Sequence, residues 1–339
     1  AGDDGVVRLW DATSRAAIRA LDDHGDAVRS VAFSPDGAVL AGVGDDGTVR
    51  LWDATSGDVI RALEGHGAGG SSVAFGHDGA VLASAGADGT IRLWDSATGA
   101  ALRVFEGHRG LVRSVAVSSD GVVLASGGND GTVRLWDSVA GAALRAMEGH
   151  GDEVLSVAFS PDGVVLASAG NDGTVRLWDR ATGAAVRVLE GHGGEALSVA
   201  FSPDGAVLAS AGADGALRLW DPAAGAAMSD LKGHHDWVLS VAFRPDGAVL
   251  ASAGADGTVR LWNTRNGNAA VILAPLSDGT AVLLPDGCYK LDGEGAGLWW
   301  AAGLCRFEPG ELDPYVPSIR RVDAGEPLSR WLHPVPGRG

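Results

Sequence analysis

A spacing of 42 residues runs through most of this chain of 339 residues and constrains the fold more than any other feature. The residues that keep it are Trp10, Trp52, Trp94, Trp136, Trp178, Trp220 and Trp262; His24, His66, His108, His150, His192 and His234; and Asp4, Asp46, Asp88, Asp130, Asp172, Asp214 and Asp256. No insertion or deletion breaks the register between Asp4 and Trp262. Such a period indicates a repeat architecture, in which each unit buries its apolar face against its neighbours.

Each unit carries the signals of a four-stranded meander. In one unit, the turn signals are Pro161-Asp162-Gly163, Asn171-Asp172-Gly173 and Ala181-Thr182-Gly183. The strands predicted between and beside them are 154–160, 164–169, 174–178 and 184–190. The last segment is rich in Ala, Leu and Arg, which favour a helix by propensity alone. We interpret it as a strand, because a fourth strand completes one blade of a repeated sheet.

The Gly-His pair at Gly149-His150, the Trp-Asp pair at Trp178-Asp179 and the 42-residue period resemble the WD-repeat (WD40) family. The resemblance covers residues 1 to about 275, and its Trp-Asp signature fails only at Trp262, which Asn263 follows. It implies an all-β fold, a β-propeller of four-stranded antiparallel blades around a central channel, with the first strand of each blade innermost.

The number of blades depends on how the two ends of the chain meet. Seven third strands end at the seven repeated Trp residues, but only six regular first strands are present, so the chain opens in mid-blade. Residues 280–291 contain the same Pro-Asp-Gly turn and are predicted to supply the missing inner pair beside residues 6–11. Sharing a blade in this way removes two open sheet edges. We therefore expect seven blades; the alternative is that residues before Ala1 supplied the pair.

The domain prediction follows from this closure. Residues 1–292 form the seven-bladed propeller, with one blade shared between 1–21 and about 280–292. Residues 293–339 form a C-terminal extension, which is too short for a separate folded domain. Because Trp299 and Trp300 are too apolar for a free tail, we expect residues 298–307 to pack on the propeller.

Composition excludes several function classes. The net charge of −17 argues against nucleic acid and against an anionic membrane surface as partners. No apolar run approaches the roughly 20 residues of a membrane helix. Two cysteines, Cys288 and Cys305, form neither a disulfide framework nor a zinc pattern, so we expect a reducing cytoplasm and no metal or cofactor. Abundant Ala, Gly, Val and Arg with little Lys favours a bacterial source.

Each regular unit carries His, Ser and Asp, which together also form the triad of hydrolases. The family resemblance implies instead a buried network in each blade, in which Asp accepts from His and Ser bridges His to the Trp indole. The complete sets are His66, Ser84, Asp88 and Trp94; His108, Ser126, Asp130 and Trp136; His150, Ser168, Asp172 and Trp178; His192, Ser210, Asp214 and Trp220; and His234, Ser252, Asp256 and Trp262. A nucleophile requires one exposed site rather than five buried copies, so no catalytic residue is predicted. The unit ending at Trp52 departs, because Gly42 replaces Ser, and the shared blade has Asp4 and Trp10 but no aligned His, so these two blades are expected to be weaker.

Comparing the repeats with one another indicates a binding surface. The third and fifth residues after His, and the residue before the turn Asp, vary while the scaffold stays constant. In a propeller these loops open on one rim around the channel. The predicted partner-binding residues are Arg29, Leu111, Arg113, Glu153, Leu155, Glu195, Leu197, Trp237 and Leu239. Trp and Arg are favoured anchors of protein interfaces; the alternative is drift at tolerant exposed positions.

These observations predict a monomeric, non-catalytic scaffold or sensor domain, part of a larger bacterial signalling protein. Its partner is expected to be a protein or peptide segment with an apolar anchor and some positive charge. The alternative is a partner with a carboxylate, which Arg29 and Arg113 could bind. Two rivals remain: a propeller hydrolase or lyase with a site in the channel, and a purely structural protein without a specific ligand.

Overall fold

A computed structural model describes residues 2–10, 17–21, 24–265, 267, 269–276, 279–283, 288–292, 300–302, 305–307 and 320–322. Every regular element in these residues is a β-strand. The all-β class and the four-stranded antiparallel blades predicted from the sequence are therefore confirmed. Within the same residues there is no helix long and apolar enough to cross a membrane.

The strands follow one another as meanders. The chain begins with a two-stranded sheet of β1 (Val7–Trp10) and β2 (Ala17–Leu21). Blade 1 is β3 (Val28–Phe33), β4 (Val39–Gly44), β5 (Thr48–Asp53) and β6 (Val59–Glu64). Blade 2 is β7 (Gly70–Phe75), β8 (Val81–Gly86), β9 (Thr90–Asp95) and β10 (Ala101–Glu106). Blade 3 is β11 (Val112–Val117), β12 (Val123–Gly128), β13 (Val133–Asp137) and β14 (Ala143–Met147).

The second half of the chain continues the pattern and then departs from it. Blade 4 is β15 (Val154–Phe159), β16 (Val165–Gly170), β17 (Val175–Asp179) and β18 (Ala185–Leu189). Blade 5 is β19 (Ala196–Phe201), β20 (Leu208–Gly212), β21 (Ala216–Asp221) and β22 (Ala226–Lys232). Blade 6 is β23 (Val238–Phe243), β24 (Val249–Gly254), β25 (Val259–Asn263) and β26 (Ala269–Leu276). The remaining strands are β27 (Gly279–Leu283), β28 (Cys288–Asp292), β29 (Trp300–Ala302), β30 (Cys305–Phe307) and β31 (Arg320–Arg321).

The turns predicted from the sequence set the register of each blade. In blade 4, Gly173 has a positive φ of 77°, and Asp172 Oδ1 accepts the N–H of Thr174 across the turn between β16 and β17. A side-chain acceptor two residues back and a Gly in the left-handed region are the usual means of closing such a hairpin. The fourth segment is a strand, as predicted, and only its last residue, Leu189, is buried.

The core lies between blades rather than within them. Trp178 of blade 4 packs against Leu135 and Met147 of blade 3, and equivalent clusters follow at later blades. Polar contacts link the innermost strands as well: the Val157 N–H donates to Ser114 Oγ at 3.1 Å. The same Val-to-Ser bond joins Val73 to Ser30, Val115 to Ser72, Val199 to Ser156 and Val241 to Ser198. Each blade therefore needs its neighbour to bury its apolar face.

The predicted number of seven blades is wrong: the propeller has six. Strand β27 pairs with β26, and β28 pairs with β27, so residues 280–291 extend the outer edge of blade 6 instead of completing a blade with β1. Strand β1 pairs with β2 alone in the described part of the chain. Val31 on β3 is consequently 38 % exposed, whereas its counterpart Val73 is 6 % exposed.

The physical reason is proximity along the chain. Only residues 277–278 separate β26 from β27, and the entropic cost of closing a loop grows with its length. The predicted Pro285-Asp286-Gly287 turn and residues 298–299 lie outside the described residues. From the extension, β29 pairs with β30, and Val322 is buried in a cluster with Leu273 and Val282. The domain boundary at residue 292 remains a prediction.

Candidate functional site

The four residues of each complete set meet inside their blade. In blade 4, His150 Nδ1 lies 3.0 Å from Asp172 Oδ1, and His150 Nε2 lies 2.7 Å from Ser168 Oγ. The indole N–H of Trp178 donates to the same hydroxyl oxygen at 2.8 Å. The same three contacts occur in the sets of His66, His108, His192 and His234. The structure thus places all twenty of these residues in five equivalent chains.

The hydrogen bonds fix the protonation state of the histidines. A carboxylate only accepts, so His150 carries its proton on Nδ1 and accepts at Nε2 from the Ser168 hydroxyl. Burial lowers the pKa of His150 below its ordinary 6.5, and the favourable effect of Asp172 offsets this only in part. The pKa values of His66, His108, His192 and His234 are lowered by the same leading cause. Protonation of Nε2 would leave the Ser hydroxyl hydrogen without its acceptor.

Asp172 also anchors the loop that follows His150. Burial alone would raise its pKa, but hydrogen bonds from the N–H groups of Gly151 and Thr174 and from His150 lower it to about 2. The equivalent N–H donors in three other blades are Arg109 to Asp130, Gly193 to Asp214 and His235 to Asp256. In these four blades the buried network therefore holds the start of the rim loop in place.

The triad geometry does not give a reactive serine. Ser84, Ser126, Ser168, Ser210 and Ser252 are all buried, and each already accepts from a Trp indole. A nucleophilic hydroxyl must contact the substrate, and none of these can do so without the blade opening. The same constellation that activates a serine in a hydrolase here satisfies buried polar atoms.

Blade 1 lacks the bridge. Gly42 occupies the Ser position, and the rings of His24 and Trp52 lie with centroids 5.5 Å apart, compared with 6.2 Å for His150 and Trp178. A Cβ added at Gly42 would lie 2.7 Å from Trp52 Cζ3. The Trp ring has therefore moved into the space that the Ser side chain fills elsewhere.

The three variable positions of the rim contact one another across blade boundaries. Arg113 Nε donates to Asn129 Oδ1 at 2.8 Å within blade 3, and Arg113 Nη2 donates to Glu153 Oε2 of blade 4 at 3.0 Å. Arg29 does the same in the other direction, donating to Asp45 of its own blade and to Asp3 at 3.0 Å. Two predicted ligand-binding arginines are thus already partly occupied by carboxylate or amide oxygens.

The apolar part of the rim lies on consecutive innermost strands. Leu155, Leu197 and Leu239 occupy equivalent positions of β15, β19 and β23, whose packing places them side by side. Exposure increases toward blade 6, where Trp237 is 47 % and Leu239 is 49 % exposed. Leu111 occupies in blade 3 the position that Trp237 occupies in blade 6, directly before the innermost strand, and its carbonyl accepts the N–H of Asn129. The carboxylate of Glu195 makes no hydrogen bond or ion pair with any residue that the structure describes.

Sequence comparison missed one repeated participant, an Arg four residues after the turn Asp. Arg218 Nη1 lies 2.8 Å from Asp214 Oδ2, and the approach is longer, at 3.9 Å, between Arg176 and Asp172. Further pairs are Arg8 with Asp4, Arg50 with Asp46, Arg134 with Asp130 and Arg260 with Asp256. The sequence does identify these arginines, since they keep the 42-residue period.

Among the residues with described positions, no three His, Cys, Asp or Glu side chains are grouped to hold a metal ion. A family model described as "WD domain, G-beta repeat" matches six segments of the chain, residues 16–53, 57–95, 99–137, 141–179, 183–221 and 225–263. Together these segments make up more than half of the sequence. A comparison with curated proteins gave no match.

Proposed function

The chain belongs to the WD-repeat family, whose propellers are generally non-enzymatic scaffolds for protein interactions, and from this premise we propose that it binds a protein or peptide segment on the rim of blades 3 to 6. Trp237 is the central anchor of this surface. The partner presents an apolar side chain to Trp237, Leu239 and Leu197, next to a positive charge. The domain itself performs no chemistry.

The observation that carries the proposal is the exposure of Trp237 on an otherwise constant scaffold. The other five units have Ala27, Gly69, Leu111, Glu153 and Glu195 at this position. The main-chain carbonyl of Trp237 still accepts the N–H of Ala255, as the equivalent carbonyls do in the other blades, so the indole is presented by a rigid strand end. A large aromatic side chain held in this way loses little conformational entropy when a partner covers it.

The charge expected of the partner comes mainly from Glu195. Glu153 is engaged by Arg113, so it contributes less than the sequence alone suggested. Glu195 lies in the next blade with its carboxylate free of ion pairs in the described structure, and the whole chain carries −17. A Lys or Arg in the partner beside the apolar anchor therefore complements this part of the rim.

The rival proposal of a propeller hydrolase or lyase requires a reactive group open to solvent. The five repeated serines do not supply one, because they are buried and bonded within their blades. A cytoplasmic location, a bacterial source, a monomeric state and a place within a larger signalling protein complete the proposal; they rest on composition and on the family resemblance.

A random dodecapeptide phage library, selected on the protein and then measured by fluorescence polarisation with synthetic peptides, tests the proposal. We expect selected peptides to combine an aromatic or aliphatic residue with Lys or Arg. Trp237→Ala, which introduces the residue of blade 1, should weaken their binding by about 2 kcal/mol, or roughly thirtyfold. Val188→Ala is the matched control, because Val188 is similarly exposed on outer strand β18 and Ala146 occupies its position in blade 3. Binding that is indifferent to Trp237, Leu197 and Glu195 together would refute this rim as the site.

A further inference from the structure

A cleft of about 500 Å³ opens between blades 3 and 4 on the face opposite the rim. It lies beside the turn between β15 and β16, which is at the other end of β16 from the Asp172 turn. Val123 and Leu135 form its buried floor, and Leu144 and Val164 form exposed apolar walls. A volume of this size falls within the range of pockets that hold a small ligand or one to two amino-acid side chains.

Two residues distinguish this cleft from the boundaries between the other blades. Arg180 has no counterpart, since the equivalent residues are Ala54, Ser96, Ser138, Pro222 and Thr264. Val164 is 54 % exposed, and the equivalent residues are Ala38, Ala80, Ala206 and Ala248, with Val122 in blade 3 as the exception. Blade 4 is thus the only unit that combines a valine at the turn with an arginine at the position of Arg180.

The added guanidinium is held rigidly. Arg180 Nη2 donates to Asp120 Oδ2 of blade 3 at 2.9 Å, Nη1 donates to the Gly163 carbonyl at 3.3 Å, and the group lies 6.0 Å from the centre of the Phe159 ring. Its remaining N–H donors need no further ordering before they meet an acceptor. The pairing with Asp120 offsets part of the charge of Arg180, but the fixed guanidinium still presents N–H donors beside an apolar wall, from which a second carboxylate can accept.

A second cation lies at the same cleft. Arg145 on β14 is exposed and donates to the Ala181 carbonyl at 2.6 Å, and it makes no ion pair within the described structure. Asp162 also lines the cleft, but its Oδ1 accepts from the Ser160 hydroxyl and the Val164 N–H and so is committed to its own turn. The side-chain donors that a ligand would meet are therefore those of Arg145 and Arg180.

We propose that this cleft binds a peptide segment in which a large apolar side chain neighbours a carboxylate. The apolar side chain enters between Leu144 and Val164 and covers the floor, and the carboxylate accepts from Arg180 and Arg145. A small molecule confined to the cleft would leave the exposed walls uncovered, whereas a peptide continues along the face toward Val122. Because the rim favours the opposite charge, the two faces recruit different partners, and the propeller joins them.

The test uses fluorescein-labelled octapeptides whose central pair combines Leu, Phe or Ala with Asp or Lys, measured by fluorescence polarisation with the full chain. Leu-Asp and Phe-Asp peptides should bind, and replacing Asp by Lys or the apolar residue by Ala should weaken binding by about tenfold or more. Arg180→Ser should reduce the preference for Asp over Lys, because Arg145 is then the only cation left to bind the carboxylate, and Val164→Ala should weaken binding of both the Leu-Asp and the Phe-Asp peptides. These substitutions introduce residues found in sister blades, Ser138 and Ala206, so folding is preserved and circular dichroism checks it.

Val104→Ala is the matched control, since Val104 on outer strand β10 is also exposed, does not line the cleft, and has Ala146 as its equivalent in blade 3. Trp237→Ala separates the two sites: it leaves binding at the cleft unchanged even if the rim proposal fails. Absence of binding by the apolar-acidic peptides, equal binding of Asp and Lys peptides, or full binding by the Arg180→Ser, Val164→Ala double variant would each overturn the proposal.

Discussion

Blades 1 and 4 share nearly the same strands and turns but differ in how the interior is bonded. In blade 4, Ser168 joins His150 to Trp178, whereas in blade 1 Gly42 offers no hydroxyl and the two rings lie closer together. Trp52 is nevertheless fully buried, as Trp178 is. The blade shape is therefore set by apolar packing and turn chemistry, and the hydrogen-bond chain adds stability and specificity to a fold that forms without it.

The largest expected effect tests what the two blades have in common. Trp178→Ala and Trp52→Ala should each lower the free energy of unfolding by about 3–5 kcal/mol, because both remove a fully buried aromatic ring and leave a cavity. Denaturant unfolding followed by circular dichroism measures both. A much smaller loss for Trp52→Ala would show that blade 1 is loosely packed, and the idea that apolar packing helps to set the shape of both blades would have to be abandoned.

The second-largest effect, the loss of the turn Asp, should differ between blade 4 and blade 1. Asp172→Ala leaves the buried His150 Nδ1–H without a partner, at about 1–3 kcal/mol, and also removes the acceptor of the exposed Gly151 N–H and the half-buried Thr174 N–H. The same change at Asp46 should cost less, because Gly42 already interrupts the chain and, among the described residues, the Gly25 N–H does not donate to Asp46. The comparison is of the two thermal midpoints, and equal losses would contradict the proposed difference.

A smaller effect concerns restoring the missing bridge. Gly42→Ser supplies the hydroxyl, but its Cβ would lie 2.7 Å from Trp52 Cζ3, so the ring must move back before the bonds form. We expect a net destabilisation of about 1 kcal/mol, since overpacking outweighs the new hydrogen bonds. Ser168→Gly in blade 4 is the reciprocal variant. If Gly42→Ser raises the midpoint of thermal unfolding, the Trp52 ring is less firmly seated than the contact distances indicate.

The smallest effect per residue is the response to acid. The lowered pKa of His150, and of its four counterparts, means that the unfolded chain binds protons first. The five histidine networks therefore contribute fully to the free energy of unfolding above pH 6.5, and this contribution is lost as the pH falls below 6.5. A second loss follows between pH 3.8 and about 2, where Asp172 is protonated in the unfolded chain before the folded one. Thermal midpoints from pH 7.5 to 5.5 should fall, less steeply for His150→Gln than for the wild type.

Much of the fold could be predicted because the same turn residues and buried residues recur in every unit. A turn such as Asn171-Asp172-Gly173 and a buried Trp such as Trp178 recur at one spacing, so register and strand order follow from local chemistry. The blade number could not be predicted in the same way. Residues 280–291 suit an inner pair or an added edge hairpin equally well, and only the nearness of the β26 edge decides between them.

The rim was predictable in position but not in its bonding. Variation among the repeats singled out Arg113, Asn129 and Glu153, but the sequence does not show that these three side chains meet across a blade boundary. That contact depends on the rotation between neighbouring sheets. The cleft beside Arg180 could not be predicted for a related reason: its walls come from separate blades, and its floor comes from positions that do not vary among the repeats.

The bonds between innermost strands have a consequence for how such chains change over time. Val73 to Ser30, Val115 to Ser72, Val157 to Ser114, Val199 to Ser156 and Val241 to Ser198 form five copies of one joint. Because this joint is the same at each of these boundaries, it does not determine which blade follows which. Duplication or deletion of a whole 42-residue unit in the gene would therefore recreate this joint at the new boundary, whereas a pair such as Arg113 with Glu153, which occurs at one boundary, would be lost or changed. The similarity of the joints also favours misfolding during synthesis. A blade that has just left the ribosome can pack against the wrong blade before its correct neighbour has been made.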